Sequence, residues 1–169
     1  MYSSNKKVIN VATGEIKFGQ RNQELVSYGI GSCIVVTMFD QKTKTGTMLH
    51  VMLPGEAPHY EKTKTKYAYD AINIALNIFK KRKIALNRLK ICLIGGGNVL
   101  KNNNDSICQN NIHSVRGILK MKNLQIQKES LGGTVRRTAR LELDTGNVYF
   151  SKNSSQEVLL YQSGFISED

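Results

Sequence analysis

Residues 28–53 read YGIGSCIVVTMFDQKTKTGTMLHVML. A Gly-x-Gly-Ser turn delivers Cys33 to the start of a run rich in β-branched and aromatic residues, the polar stretch DQKTKTG follows, and a second extended run carries His50. This order predicts strand, turn, strand within the stretch from Glu24 to Pro54, a β-hairpin. Pro54 and Gly55 end it, and GEAPHYEKTKT at 55–65 reads as a polar loop. If DQKTKTG closes symmetrically, Val36 falls opposite His50. Cys33 is then three residues away, roughly 10 Å along the strand and on the other face. Contact between thiol and imidazole would need a shorter loop, a bulge or a bend at the glycines.

Working outward, apolar residues at Ala68, Ile72, Ala75, Leu76 and Phe79, with Ala71 and Ile78 beside them, give the spacing of an amphipathic helix between Lys66 and Lys83. Thr65 is its candidate cap, and KKRK at 80–83 complements the negative end of the helix dipole. LKICLI at 89–94 reads as a buried strand stopped by Gly95, Gly96 and Gly97; the Asn- and Lys-rich segment 98–111 reads as loop. A weaker helix is expected over Ile112 to Asn123, with Gly117 costing about 1 kcal/mol relative to Ala. LQIQKES, TARLELD and NVYFSK read as strands, the last two joined by the turn DTGN at 144–147. Strands at both ends, helices between them and no regular βαβ alternation predict an α+β fold, a single domain spanning 1–169.

Of 169 residues, 40% are hydrophobic, enough to fill one core. Lys and Arg outnumber Asp and Glu by 24 to 13, a formal charge of +11 that suits an acidic partner. The basic residues are scattered through 61–66, 80–83 and 135–140, with few aromatics and no nucleic-acid module signature, so nucleic acid is not the expected partner. With no long apolar run and no signal-peptide pattern at the start, a cytoplasmic protein without membrane insertion is expected. Three cysteines without a CxxC pair read as thiols rather than a disulfide framework. Neither HExxH nor clustered carboxylates suggest a metal, and none is expected. The Gly95–Gly97 run followed by Leu100 lacks the last glycine of GxGxxG and any Gly-Lys-Ser/Thr, which argues against a nucleotide site. No cofactor is expected.

A thiol is only a few per cent ionised at neutral pH, so a catalytic cysteine needs a base or a positive neighbour. The sequence offers His50 in a strand, His59 in a loop and His113 in the Asn-rich segment. Period-2 alternation puts His50 on one face with Met48 and Met52, where a buried, hydrogen-bonded imidazole is the ordinary outcome. An isolated cysteine is ordinarily a small buried hydrophobe. The context of Cys33 raises it above that: Gly29 and Gly31 permit positive φ or close backbone approach, so amides around Ser32 and Cys33 can point at a developing oxyanion. Cys92 reads as core. Cys108, expected to be exposed, forms with His113 a rival thiol–imidazole pair.

These residues resemble the CheD family of chemoreceptor glutamine deamidases. The family core runs Thr, two residues, Gly-x-Gly-Ser-Cys, an extended run, a turn, then Gly-x-Met-x-His-x-Met-Leu-Pro; SYGIGSC and GTMLHVMLP reproduce it, with the seventeen-residue step from Cys33 to His50. KYAYDAI, LIGGGN and LGGTVRRTARLELDTGNVYFSK are similar to the family's helix start, Gly-Gly strand end and terminal Gly-Gly loop with hairpin. The chain departs from the pattern in three places. Ser27 stands where the family has threonine, keeping the hydroxyl; NIHSVR stands for Ile-Gly-x-Arg-Asn; and Thr134-Val135 replaces Asn-Arg.

The resemblance implies a β-sandwich-like core flanked by helices and no cofactor. It also implies hydrolysis of protein glutamine to glutamate through a thioester, with Cys33 as nucleophile, His50 as base and Ser27 orienting the imidazole, and with Gly29, Gly31 and Ser32 forming the oxyanion turn. The implied substrates are chemoreceptor cytoplasmic domains, with the Lys-rich segments as candidate contacts. In some organisms the family also pairs with CheC. Two other classes would share this sequence: a non-catalytic adaptor docking on receptors or CheC, and a transglutaminase-like enzyme passing the same thioester to an amine.

Overall fold

The computed structural model describes residues 6–104 and 106–164; both ends of the expected 1–169 span, and Asp105 in the expected loop, lie outside the described residues. The strands are β1 (Lys7–Asn10), β2 (Ile16–Gly19), β3 (Gln23–Ile30), β4 (Ile34–Asp40), β5 (Thr45–Val51), β6 (Lys90–Gly95), β7 (Ile126–Leu131), β8 (Arg137–Glu142), β9 (Val148–Lys152) and β10 (Val158–Tyr161). Helices α1 (Ala68–Lys81) and α2 (Ile107–Met121) flank β6 in sequence. One sheet has the order β1-β3-β8-β9-β10 and the other β2-β5-β4-β6-β7. The architecture is the expected α+β sandwich, and among the described residues no helix is long and apolar enough to cross a membrane.

Every residue of β4 is buried, because its sheet is covered on both sides. Ile34, Val36 and Met38 face a core shared with Ala71, Ile72, Ala75 and Phe79 of α1 and with Ile112, Val115 and Leu119 of α2. Val35 and Phe39 face the other sheet and meet Leu25, Ala139, Leu141 and Val148. Helices thus cover one side of the β4 sheet, and the opposite sheet covers the other.

The hairpin forms, but in a register one residue away from the symmetric expectation. Asp40 pairs with Thr45, and Val35, not Val36, lies opposite His50. The cause is the turn. The Asp40 carboxylate accepts the Thr43 N–H at 3.0 Å and the Thr43 hydroxyl at 2.6 Å, and Lys44 takes a left-handed φ of 53°, closing a tight loop over residues 41–44. Arg88 donates to the same carboxylate at 2.9 and 2.8 Å, which neutralises a side chain only 1% exposed. Because side chains alternate faces, a one-residue slip carries Cys33 from the helix side of the sheet to the side of His50.

Other expectations are corrected. Thr65 does not cap α1; it lies within the 3-10 turn Lys64–Lys66, and Tyr67 is the N-cap, without a side-chain bond. Helix α2 starts at Ile107, five residues before the expected Ile112. The stripe Cys108, Asn111, Ile112, Val115, Ile118, Leu119 is helical, but its second member is a buried asparagine that breaks the apolar pattern. Gly117 is exposed, with open space around it, so its cost is not compounded by a packing defect. Strands β1, β2, β3 and β10 were not legible as separate elements; three of them are four residues long, and β10 carries two exposed apolar residues.

Three glycine-containing loops meet where the chain crosses from β3 in one sheet to β4 in the other. Gly96 donates its N–H to the Cys33 carbonyl and Gly97 to that of Gly31, both at 2.8 Å; Asn98 N–H reaches the Gly133 carbonyl at 2.8 Å and Gly132 N–H that of Gly95 at 2.9 Å. The Gly95–Gly97 run is therefore a latch on the cysteine turn. From α2, fully buried Asn111 donates its side-chain NH₂ to the Ser32 carbonyl at 2.9 Å and the Met52 carbonyl at 3.1 Å, tying the turn to the end of the histidine strand.

Gly95 has φ +128°, and a Cβ there would overlap the Cys33 carbonyl oxygen and the Ile30 side chain. Gly95→Ala is expected to destabilise the fold by at least about 2 kcal/mol in chemical denaturation. Asn111→Leu is expected to cost about 1–3 kcal/mol by leaving two carbonyls unpaired, although leucine is the better helix former. An Asn111→Leu midpoint equal to or above that of the unmodified protein would show that the clamp adds nothing.

Candidate functional site

Cys33 immediately precedes β4 at the corner between the sheets, and His50 lies near the end of the neighbouring strand β5. Cys33 stands two positions before Val35, the partner of His50, so thiol and imidazole are diagonal neighbours on one face, an arrangement with typical backbone separations of about 7–8 Å. Both side chains line one cavity of about 250 Å³, together with Gly29, Gly31, Ser32 and Thr13. Asn98, Val99 and Leu100 after the β6 latch, Cys108 from α2 and Arg136 complete its wall. The bend at the glycines and the shorter loop, two of the routes the sequence left open, act together here.

Ser27 comes from the opposite sheet. It is fully buried in β3, and its hydroxyl oxygen lies 2.8 Å from His50 Nδ1 and 2.7 Å from the Val11 carbonyl oxygen. The arrangement dictates where the protons sit. A carbonyl can only accept, so the single hydroxyl proton goes to Val11, and the serine oxygen is left to accept from Nδ1–H. The neutral imidazole therefore carries its proton on Nδ1 and keeps the Nε2 lone pair as a base. The His50 backbone is held as firmly: its N–H donates to the Glu15 carbonyl at 3.0 Å, and its carbonyl accepts the Gly14 N–H at 2.8 Å.

Burial pushes the His50 pKa below the ordinary histidine value, opposed by a hydrogen bond to the Val11 carbonyl. Burial likewise raises the Cys33 thiol pKa; its own backbone N–H, directed at the sulfur, works against the shift, and the nearby Cys108 thiol adds to it. Both shifts favour the neutral forms. At rest the site is a thiol beside a neutral imidazole. Gly29 adopts φ +65°, the conformation that turns the chain into the corner.

The rival histidines lie elsewhere. His59 and His113 are exposed, and neither lines the cavity. Cys108, expected at the surface, is only 4% exposed, and five residues along a helix point it away from His113; the Cys108–His113 pair does not form. Cys92 is core, as expected, and its pKa is pushed up to about 12 by burial. The sequence reading missed Thr13, Asn98, Arg136 and the clamp Asn111. Only Asn111 left a signal, as a polar residue at a helical core position. Arg136, at the cavity rim, donates to the Gly29 carbonyl at 3.1 Å.

A family model described as CheD chemotactic sensory transduction matches residues 52–152, beginning two positions after His50. Full-length comparison reaches further. The chain is 35% identical over 150 residues to the probable chemoreceptor glutamine deamidase CheD of Chlorobium luteolum, covering 88% of this chain and 75% of that one. It is 31% identical over 154 residues to the probable chemoreceptor glutamine deamidase CheD of Methanococcus maripaludis (90% and 99% covered). To the chemoreceptor glutamine deamidase CheD of Thermotoga maritima it is 30% identical over 154 residues (91% and 96% covered). With a family-model match over more than half its length and relatives this similar along most of it, the chain belongs to the CheD family.

Proposed function

We propose that this protein hydrolyses glutamine side chains of chemoreceptor cytoplasmic domains to glutamate, with Cys33 as nucleophile, His50 as general base and acid, and Ser27 as the residue that positions the imidazole. The observation that carries the reading is the 2.8 Å contact between Ser27 and His50 Nδ1, which leaves Nε2 basic in the cavity that also holds the thiol. The relatives' names supply the substrate class.

The reaction begins with two neutral groups. As the Cys33 sulfur adds to the carboxamide carbon, its proton passes to Nε2, and the carbonyl oxygen becomes an oxyanion. The Cys33 N–H and neighbouring amides of the Gly29–Ser32 turn would receive that charge; each such donor is typically worth about 3 kcal/mol. The imidazolium then protonates the departing nitrogen, ammonia leaves, and a thioester remains. Water, deprotonated by the same Nε2, adds to the thioester carbon; collapse expels the sulfur, which regains its proton, and frees the carboxyl group. In total the carboxamide and one water give a carboxylic acid and ammonia. Ser27 accepts the Nδ1 proton throughout and keeps the ring from turning its basic nitrogen away.

Incubation with a cognate receptor cytoplasmic domain is expected to raise the mass of particular glutamine peptides by about one mass unit, with ammonia released. Cys33→Ala should abolish the gain and His50→Ala should slow it by about 10²-fold or more. Ser27→Ala should cost about 3- to 10-fold, and Ser27→Thr should restore most of the rate. A gain that persists in Cys33→Ala would end the proposal. Full receptor-dependent function of Cys33→Ala in cells would favour the docking adaptor, and an amine adduct in place of ammonia a transglutaminase.

The rate should also carry the mark of burial. Only neutral His50 can act as base, and its pKa lies below the ordinary value of about 6.5. On acidification kcat/KM is therefore expected to fall with a midpoint below pH 6.5. An acid limb centred at or above 6.5 would count against His50 as the base.

A further inference from the structure

The mechanism uses one of two thiols in the cavity wall. The other, Cys108, sits in the first turn of α2 and lines the cavity with Cys33. Its placement follows from the clamp: Asn111, three positions further along the same buried stripe, donates to the Ser32 carbonyl next to Cys33, which seats this turn of the helix against the cysteine corner. The Cys33 thiol feels that neighbour, its pKa being raised in part by Cys108. Neither is held in a disulfide. The third cysteine, Cys92, pairs opposite Thr37, four positions along β4 from Cys33 and thus roughly 13 Å away.

We propose that Cys33 and Cys108 form an oxidative modification site, in which a peroxide joins them as a reversible disulfide that closes the cavity. The Cys33 proton passes to His50, and the thiolate attacks one peroxide oxygen. The S–O bond forms as the O–O bond breaks, giving a sulfenic acid, and the departing oxygen takes up the proton as water. The Cys108 sulfur then displaces the sulfenic oxygen, which takes the Cys108 proton and leaves as a second water. One hydrogen peroxide and two thiols give one disulfide and two waters, the two sulfurs together losing two electrons to the peroxide. Without Cys108, the sulfenic acid has no resolving thiol in the cavity and continues to sulfinic acid, which thiol reductants do not reverse.

The loss of activity on oxidation rests on Cys33 being the nucleophile of the proposed deamidation; the cross-link does not. The test treats reduced full-length protein with a small excess of hydrogen peroxide, blocks remaining thiols, and maps non-reduced peptides by mass spectrometry. The expected product is a Cys33–Cys108 linked peptide about two mass units lighter than the two thiol peptides together, with Cys92 blocked only after denaturation. Dithiothreitol should restore both thiols and receptor deamidation together. In Cys108→Ser, peroxide should carry Cys33 to sulfinic acid, and dithiothreitol should leave deamidation lost. Absence of the linked peptide, with Cys33 oxidised to the same products in the unmodified protein and in Cys108→Ser, would overturn the inference. A linked peptide from a protein that never deamidates when reduced would uphold the modification site while removing the catalytic reading.

Discussion

The register of one hairpin governs the rest of this structure. Asp40 gathers the turn through Thr43 and is itself neutralised by Arg88, which places Val35 opposite His50. Moved by one residue, the same two strands would keep nearly all their backbone hydrogen bonds and much of their apolar burial, yet the imidazole and the thiol would point into different layers. A buried carboxylate far from the cavity thus decides which side of the sheet Cys33 shares with His50. Pairing the charge matters because an unpaired carboxylate at that depth would cost several kcal/mol.

Each sheet supplies part of the site. The hydroxyl comes from β3, the imidazole from β5 and the thiol from the crossing between β3 and β4. The contact between Ser27 and His50 joins the two sheets, with both residues buried. Such surroundings strengthen a satisfied hydrogen bond and penalise a broken one. Burial also explains the neutral resting pair, since it is the largest cause of both pKa shifts. Backbone groups do the remaining work: the latch from β6 bonds the cysteine turn through its main chain, and the loop before β8 bonds the latch in the same way.

Much of this was legible in the sequence. The hairpin, α1, β6 and the β8–β9 pair follow from periodicity and turn residues, and the resemblance named Cys33, His50 and Ser27. Other parts were hidden for physical reasons. Register depended on a side-chain bond inside a turn, which composition does not encode. The start of α2 was masked because Asn111 interrupts its apolar stripe, although that residue is buried to serve backbone carbonyls rather than solvent. The Gly95–Gly97 run suggested an anion loop only to be rejected, and its actual task, gripping a distant turn, has no local signature. Cys108 looked exposed because its neighbours in sequence are polar.

The cavity is small. At about 250 Å³ it lies below the usual range for sites that enclose a drug-sized molecule. Only a slender group standing clear of its own backbone can enter, so a side chain recessed in a pleat or sunk in a hydrophobic core is refused by shape alone. If Cys33 is the nucleophile, shape alone would spare most side chains without any need to read the sequences around them.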